Sequence, residues 1–189
     1  KIEELADTQV PEEKPQNPSN DNKAGNDEST RNVPQTDKSV APVSVGSTVS
    51  DSVTKAVYKV TKQNSSENTV EYVGSSAKKA SVEIPATITI QGKTYKVTTI
   101  GKKAFAGNKA LKKVVIGKNI RTIGSKAFSN CKKLKNIKIK TTKLTKKSVG
   151  AKAFKGINKK VKINVPNKKA ASYKKILLKK GVTRQAVIK

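Results

Sequence analysis

Lysine supplies almost all the side-chain chemistry this sequence has to offer. Of 189 residues, 41 are Lys or Arg, 13 are Asp or Glu, one is Cys and none is His. Without histidine, a Ser–His–Asp or Cys–His nucleophile has no base. A glycosidase needs two carboxylates at a set separation, and residues 53–189 hold only Glu67, Glu71 and Glu83. Zinc needs several Cys or His, and calcium a cluster of acids; neither set occurs in that region. No G-x-x-x-x-G-K-[ST] or G-x-G-x-x-G stretch is present to cradle phosphates. Nothing singles out one lysine as a catalyst. The sequence therefore predicts no enzyme, no metal and no cofactor.

The charge is divided unevenly along the chain. Residues 1–51 carry 10 acidic and 5 basic residues, net −5, whereas residues 52–189 carry 3 acidic and 36 basic residues, net +33. No acidic residue follows Glu83. Such an imbalance favours solubility, disfavours the compact state and attracts polyanions. The only arginines are Arg31, Arg121 and Arg184. Arg forks suit bidentate phosphate and base recognition, whereas Lys acts as a point charge. Diffuse electrostatic attachment is thus expected over sequence-specific DNA reading. No apolar run approaches the roughly 18 residues of a membrane helix, so no membrane insertion is expected in this segment.

What must position these lysines is a repeat. All three phenylalanines close the same phrase: Ile100-Gly101-Lys102-Lys103-Ala104-Phe105, Ile123-Gly124-Ser125-Lys126-Ala127-Phe128 and Val149-Gly150-Ala151-Lys152-Ala153-Phe154. The Phe residues are 23 and 26 positions apart. A period of roughly 20–29 residues marks a leucine-rich-repeat solenoid. Leu111, Val114 and Ile116 follow Phe105 at the spacing at which Leu134, Ile137 and Ile139 follow Phe128. The third unit keeps Ile163 and Val165, with Lys160 at the Leu position. Ala-Phe should pack inward from a turn or short helix, and the V-x-I pair from a strand of period 2.

Over about residues 82–189 this pattern resembles the BspA-like leucine-rich repeat of bacterial surface proteins, roughly I-G-x-x-A-F-x-x-C-x-x-L-x-x-V-x-I-P. Cys131 falls at that pattern's Cys position, where the other units have Asn108 and Ile157. The Pro after the strand is kept only as Pro166, with Gly117 and Lys140 in its place elsewhere. The resemblance implies a mainly β fold with short helices, a right-handed leucine-rich-repeat solenoid. It also implies a secreted or surface-displayed protein linked to adhesion, extracellular or on a bacterial cell surface. It transfers no ligand-binding residue.

Three segments follow. Residues 1–52 read as a disordered acidic linker, with Pro11, Pro15, Pro18, Pro34 and Pro42 and too little apolar area to offset the entropy of ordering. Residues 53–99 alternate like short strands, with Gln91-Gly92-Lys93 as a hairpin signal, and read as a β-rich N-terminal cap. Residues 100–189 hold the repeats and a C-terminal helix over about 167–180. Asn167 is its expected N-cap and Gly181 its stop.

Two residue types keep competing readings. Cys131 precedes Lys132 and Lys133, whose charges could activate a thiol; the core reading is favoured, because a free Cys packs as a small apolar residue. The Phe residues and Tyr58, Tyr72 and Tyr95 are expected in the core or in cross-strand pairs, not on a base-stacking platform. On the ladder face, Lys113 and Val115, then Asn136, Lys138 and Lys140, then Lys162 and Asn164 should point outward. Lys113, Lys138, Lys140 and Lys162 are the candidate binding residues. Stacked at the strand spacing of about 4.8 Å, they form either a basic stripe or a merely solvated coat. The expected partners are an anionic polymer (teichoic acid or a sulfated glycan) or a host or matrix protein. The alternatives are a structural repeat module with no ligand of its own, and a nonspecific extracellular nucleic-acid binder.

Overall fold

Alternation of apolar and polar residues builds eleven strands in the computed structural model, which describes residues 42–189. One sheet contains β1 (Thr48–Ser50), β2 (Ala56–Gln63), β3 (Asn68–Ser75), β6 (Lys93–Ile100) and β5 (Thr87–Ile90) in that spatial order, and β8 (Thr122–Ile123) pairs with β6. The other runs β11 (Val187–Ile188), β10 (Lys162–Asn164), β9 (Asn136–Ile139), β7 (Lys113–Ile116) and β4 (Ser81–Ile84), all pairs parallel. This second sheet is the repeat ladder. The fold is mostly β, with one α-helix, α1 (Ala170–Lys179), near its C-terminal end.

Local turn chemistry sets the hairpins. Gln91 and Gly92 both take positive φ, 47° and 72°. That is the two-residue turn whose twist matches antiparallel strands, and β5 pairs with β6 across it. Between β2 and β3, the Asn64 side-chain oxygen accepts the Ser66 and Glu67 amides at 3.1 and 2.8 Å, an Asx-type turn.

The described part begins earlier than the expected boundary at residue 53. Thr48–Ser50 forms β1, antiparallel to β2 with Val49 opposite Tyr58, and Val49 packs on the core. A Val flanked by two hydroxyl residues is enough for a short edge strand where a partner edge is free. Thr48–Ser50, inside the linker expected over residues 1–52, is thus a strand; residues 1–41 lie outside the described residues. β4, counted from the sequence with the N-terminal segment, is the first rung of the ladder.

Inside the stack the rings line up. Tyr72, Phe105, Phe128 and Phe154 stack in sequence at centroid distances of 5.1, 5.0 and 5.3 Å, with interplanar angles of 14° or less. Tyr58 closes the row edge-on to Tyr72 at 5.5 Å. Phe105, Phe128 and Phe154 lie one strand spacing apart because each coil contributes one ring at the same position, and Tyr72 of β3, in register with Ile100 rather than with a Phe, extends the row. All five are buried. The V-x-I pairs supply the opposite wall, with Ile84, Val114, Ile116, Ile137, Ile139, Ile163 and Val165 buried.

The glycine of each phrase lets the coils approach. The Gly101, Gly124 and Gly150 amides donate to the Tyr72, Ile100 and Ile123 carbonyls at 2.8, 2.7 and 2.7 Å. Two residues on, Lys103, Lys126 and Lys152 all take positive φ, between 55° and 59°. These lysines mark the recurring bend that turns the chain toward Ala-Phe.

α1 docks through Tyr173 and Leu177, both buried. The Tyr173 hydroxyl donates to the Thr141 carbonyl and accepts the Leu144 amide, each at 3.0 Å. Thr141 in turn donates to the Ile120 carbonyl at 2.6 Å. Asn167 is not the N-cap. It opens a 3-10 turn, Asn167–Lys169, behind the extended Pro166. Lys169 precedes α1, and no side chain caps the helix. The turn's own bond, Lys169 amide to Pro166 carbonyl at 2.8 Å, starts the coil without a cap. Gly181 ends the helix as expected: φ is +108°, its amide reaches the Leu178 carbonyl, and the Val182 amide reaches the Leu177 carbonyl. This is the six-to-one and five-to-two closure of a Schellman motif.

Candidate functional site

The ladder face follows from register. Ser81, Lys113, Asn136, Lys162 and Val187 stand opposite one another across the five strands. Two residues along, Glu83, Val115, Lys138 and Asn164 form the next row. Lys113, Asn136, Lys138, Lys162 and Asn164 are exposed and surround one depression, floored by Ile137. At about 4.8 Å between strands, Lys113 and Lys162 stand roughly 10 Å apart with Asn136 between them. Lys138 lies about 8 Å from each, comparable to a Debye length at physiological salt. Their fields therefore overlap.

The lysines do not form the continuous stripe that stacking alone would give. Asn136 separates Lys113 from Lys162, and Lys138 is flanked in its row by Val115 and Asn164. Val115, expected to face solvent, is only 8% exposed. The strand that carries it is spanned by an ion pair from Lys140, just past β9, to Glu83 on β4, at 2.7 Å. Lys140 therefore stands outside the depression and already has an anion. Such an exposed pair contributes about 1 kcal/mol or less; its consequence is for the charge pattern rather than for stability.

A second acid is also consumed internally. Glu67 faces Lys96 at 3.3 Å, Arg121 at 3.4 Å and Lys62 at 4.0 Å. The hydrogen bond from Lys96, then the charges of Arg121, Lys96 and Lys62, hold its carboxyl below the usual range despite opposing desolvation. The few acids of this region sit on the first sheet and at the ladder's β4 end.

Cys131 is buried. Burial pushes its thiol up, partly offset by the Asn108 backbone hydrogen bond, and Sγ donates to the Phe105 carbonyl at 2.9 Å. The core reading holds, and neighbouring lysines do not activate it. Tyr58, Tyr72 and Tyr95 are buried too. Burial moves the Tyr58 phenol up to about 12 and the Tyr72 phenol upward as well. These rings cannot stack on a ligand. A further groove, beside the outer edge of β4, is lined by Tyr58, Tyr72, Lys79, Val82, Glu83 and Ile88 among others; it mixes both charge signs and has no lysine row. No three His, Cys, Asp or Glu side chains gather among the described residues.

Register is what sequence reasoning missed. The outward identity of Lys113, Asn136, Lys138, Lys162 and Asn164 follows from period 2 alone. Which residues stand side by side, and the capture of Lys140 by Glu83, depend on strand pairing between units of unequal length.

Residues 87–179 match the family described as BspA type leucine rich repeat region, in 6 copies. The match begins upstream of the first Phe-containing unit and takes in β5 and β6. No curated protein matches the chain. Among solved structures, a leucine-rich repeat protein from Bacteroides capillosus ATCC 29799 is 19% identical, with 75% of this chain and 98% of that one covered and a TM-score of 0.50. That likeness shows the fold. A leucine rich cell surface protein from Faecalibacterium prausnitzii A2-165 is 24% identical over 67% of this chain, with a TM-score of 0.48. This chain spans about a third, 34%, of that protein's length.

Proposed function

Because this chain carries a BspA-type leucine-rich-repeat region over residues 87–179, we propose that it is a non-enzymatic binding module, extracellular or on the bacterial surface, that attaches to an anionic polymer through its ladder face. The observation that carries the reading is the convergence of Lys113, Lys138 and Lys162 on one depression with no acidic residue lining it. The ammonium groups act as point charges, with Lys138 about one screening length from each of the other two, so their attraction for a polyanion adds. In this reading the first sheet and α1 close the two ends of the stack, as a solenoid requires. No helix among the described residues is long and apolar enough to cross a membrane.

Nucleic acid is a poorer fit. Of the arginines in the described residues, Arg121 is committed to Glu67, and the aromatic rings are in the core. A module with no ligand of its own remains the competing reading, and experiment separates the two. The full chain is compared with the triple variant Lys113→Glu, Lys138→Glu, Lys162→Glu. A control of equal charge change, Lys103→Glu, Lys126→Glu, Lys152→Glu, alters exposed lysines on the bends before each Phe. Binding to teichoic acid and to heparin is measured across a salt series. The ladder triple should lose at least about tenfold in affinity at physiological salt, more than 1.4 kcal/mol, and the control much less. Equal losses in both variants would make the charge a nonspecific coat and favour the structural-module reading.

A further inference from the structure

The register restricts which polyanion fits. Across the strands, Lys113–Asn136–Lys162 reads cation, amide, cation, and Val115–Lys138–Asn164 reads apolar, cation, amide. No two lysines are direct register neighbours in either row. Building on the polyanion reading above, we propose that the ladder face recognises an acidic glycan whose charged and neutral sugar units alternate, lying across the strands.

One sugar ring advances a polysaccharide by about one strand spacing, so successive rings fall over successive strands. An anion over β7 meets Lys113, and the next anion, two rings on, meets Lys162 over β10. The neutral ring between them lies over Asn136, whose amide offers two donors and an acceptor to ring hydroxyls. A polymer charged on every unit would instead set an anion against Asn136, where the nearest cation is Lys138, two residues along β9 and in the other row; the anion loses water there without a direct partner. Val115, nearly covered yet on this face, gives an apolar spot for the C–H side of a ring. Glu83, opposite Val115 on β4 and already paired with Lys140, leaves no free cation there and bounds the site at that end. The cradle thus runs from β7 to β10 and takes an anion–neutral–anion trisaccharide unit.

The test uses the full chain at physiological salt and three probes. They are an oligosaccharide of hyaluronan, in which uronate alternates with a neutral amino sugar, an oligogalacturonate of equal length, charged on every ring, and inorganic polyphosphate. The alternating oligosaccharide should bind at least about tenfold more tightly than the other two. Asn136→Ala and Asn164→Ala, which leave net charge unchanged, should weaken it about fivefold and leave polyphosphate binding as it was. Oligogalacturonate or polyphosphate binding as tightly as hyaluronan would overturn the proposal, as would asparagine variants that change nothing. If the lysine triple abolishes binding of all three probes while the asparagine variants are inert, the polyanion reading stands and this refinement falls. If the lysine triple moves nothing, both fall.

Discussion

Gly124→Ala should cost about 3 kcal/mol or more, a large change for one methyl group. A Cβ at Gly124 would lie 2.5 Å from the Lys102 amide nitrogen, 2.6 Å from the Gly101 carbonyl carbon and 2.9 Å from its oxygen. All of these are backbone atoms of the preceding coil, so no side chain can swing aside. Relief requires the two coils to separate, which breaks the 2.7 Å bond from the Gly124 amide to the Ile100 carbonyl and loosens the ring stack at Phe128, four residues on. Overpacking usually costs 1–3 kcal/mol; a clash against fixed backbone belongs at or beyond the top of that range. Gly150→Ala meets the same obstacle in the Ser125 amide nitrogen and the Gly124 carbonyl carbon, the latter at 2.7 Å. Gly107→Ala is the contrast. Nothing lies within 4 Å of its added Cβ, and only its φ of +70° opposes a side chain, at a cost of about 1–2 kcal/mol. Urea unfolding of the three variants checks the ranking. Gly124→Ala no more destabilising than Gly107→Ala would mean that the coils are not packed backbone to backbone.

Phe128→Ala should cost about 3–5 kcal/mol. Its ring is fully buried and lies between Phe105 and Phe154 at 5.0 and 5.3 Å, so truncation removes two stacking contacts at once and leaves a hole in the middle of the row. Offset ring pairs contribute about 0.5–1.5 kcal/mol each beyond area. The cavity cannot collapse easily, because coil spacing is fixed by the ladder on one side and the glycine column on the other. For a folded part of this size each kcal/mol lowers the melting temperature by roughly 2–4 °C, so a fall of about 10 °C is expected by calorimetry. Phe128→Leu should fall well short of that. A loss below about 1 kcal/mol for the alanine variant would show that the rings are not the spine of the stack.

Both effects trace to residues that the sequence marks openly. The phrase from Ile100 to Phe105 and its two echoes announce the repeat, and the ring row and glycine column are consequences of identical positions stacking. Gly181 ends the helix in the way its place after a lysine-rich turn suggests. What the sequence hides is pairing. β1 is legible only once β2 offers it an edge, since three residues of modest strand preference carry no signal alone. Asn167 has the composition of a cap, but Pro166 and the 3-10 turn settle the helix start first. On the ladder face, period 2 reveals which residues point outward. The unequal spacing of 23 and 26 residues between the Phe positions leaves open which of them become neighbours. Lys140 shows the difference: one residue past the strand it looks like a stripe member, and the structure gives it to Glu83, 57 residues earlier.

The central claim is that attachment occurs at Lys113, Lys138 and Lys162 rather than over the whole basic surface. Lysine acetylation of the full chain, read residue by residue by mass spectrometry with and without saturating hyaluronan oligosaccharide, tests it most directly. Those three lysines should lose most of their labelling on binding, Lys140 should change less because Glu83 already holds it, and Lys103, Lys126 and Lys152 should label as before. Protection spread evenly over all the lysines, or confined to the bends and α1, would contradict the claim.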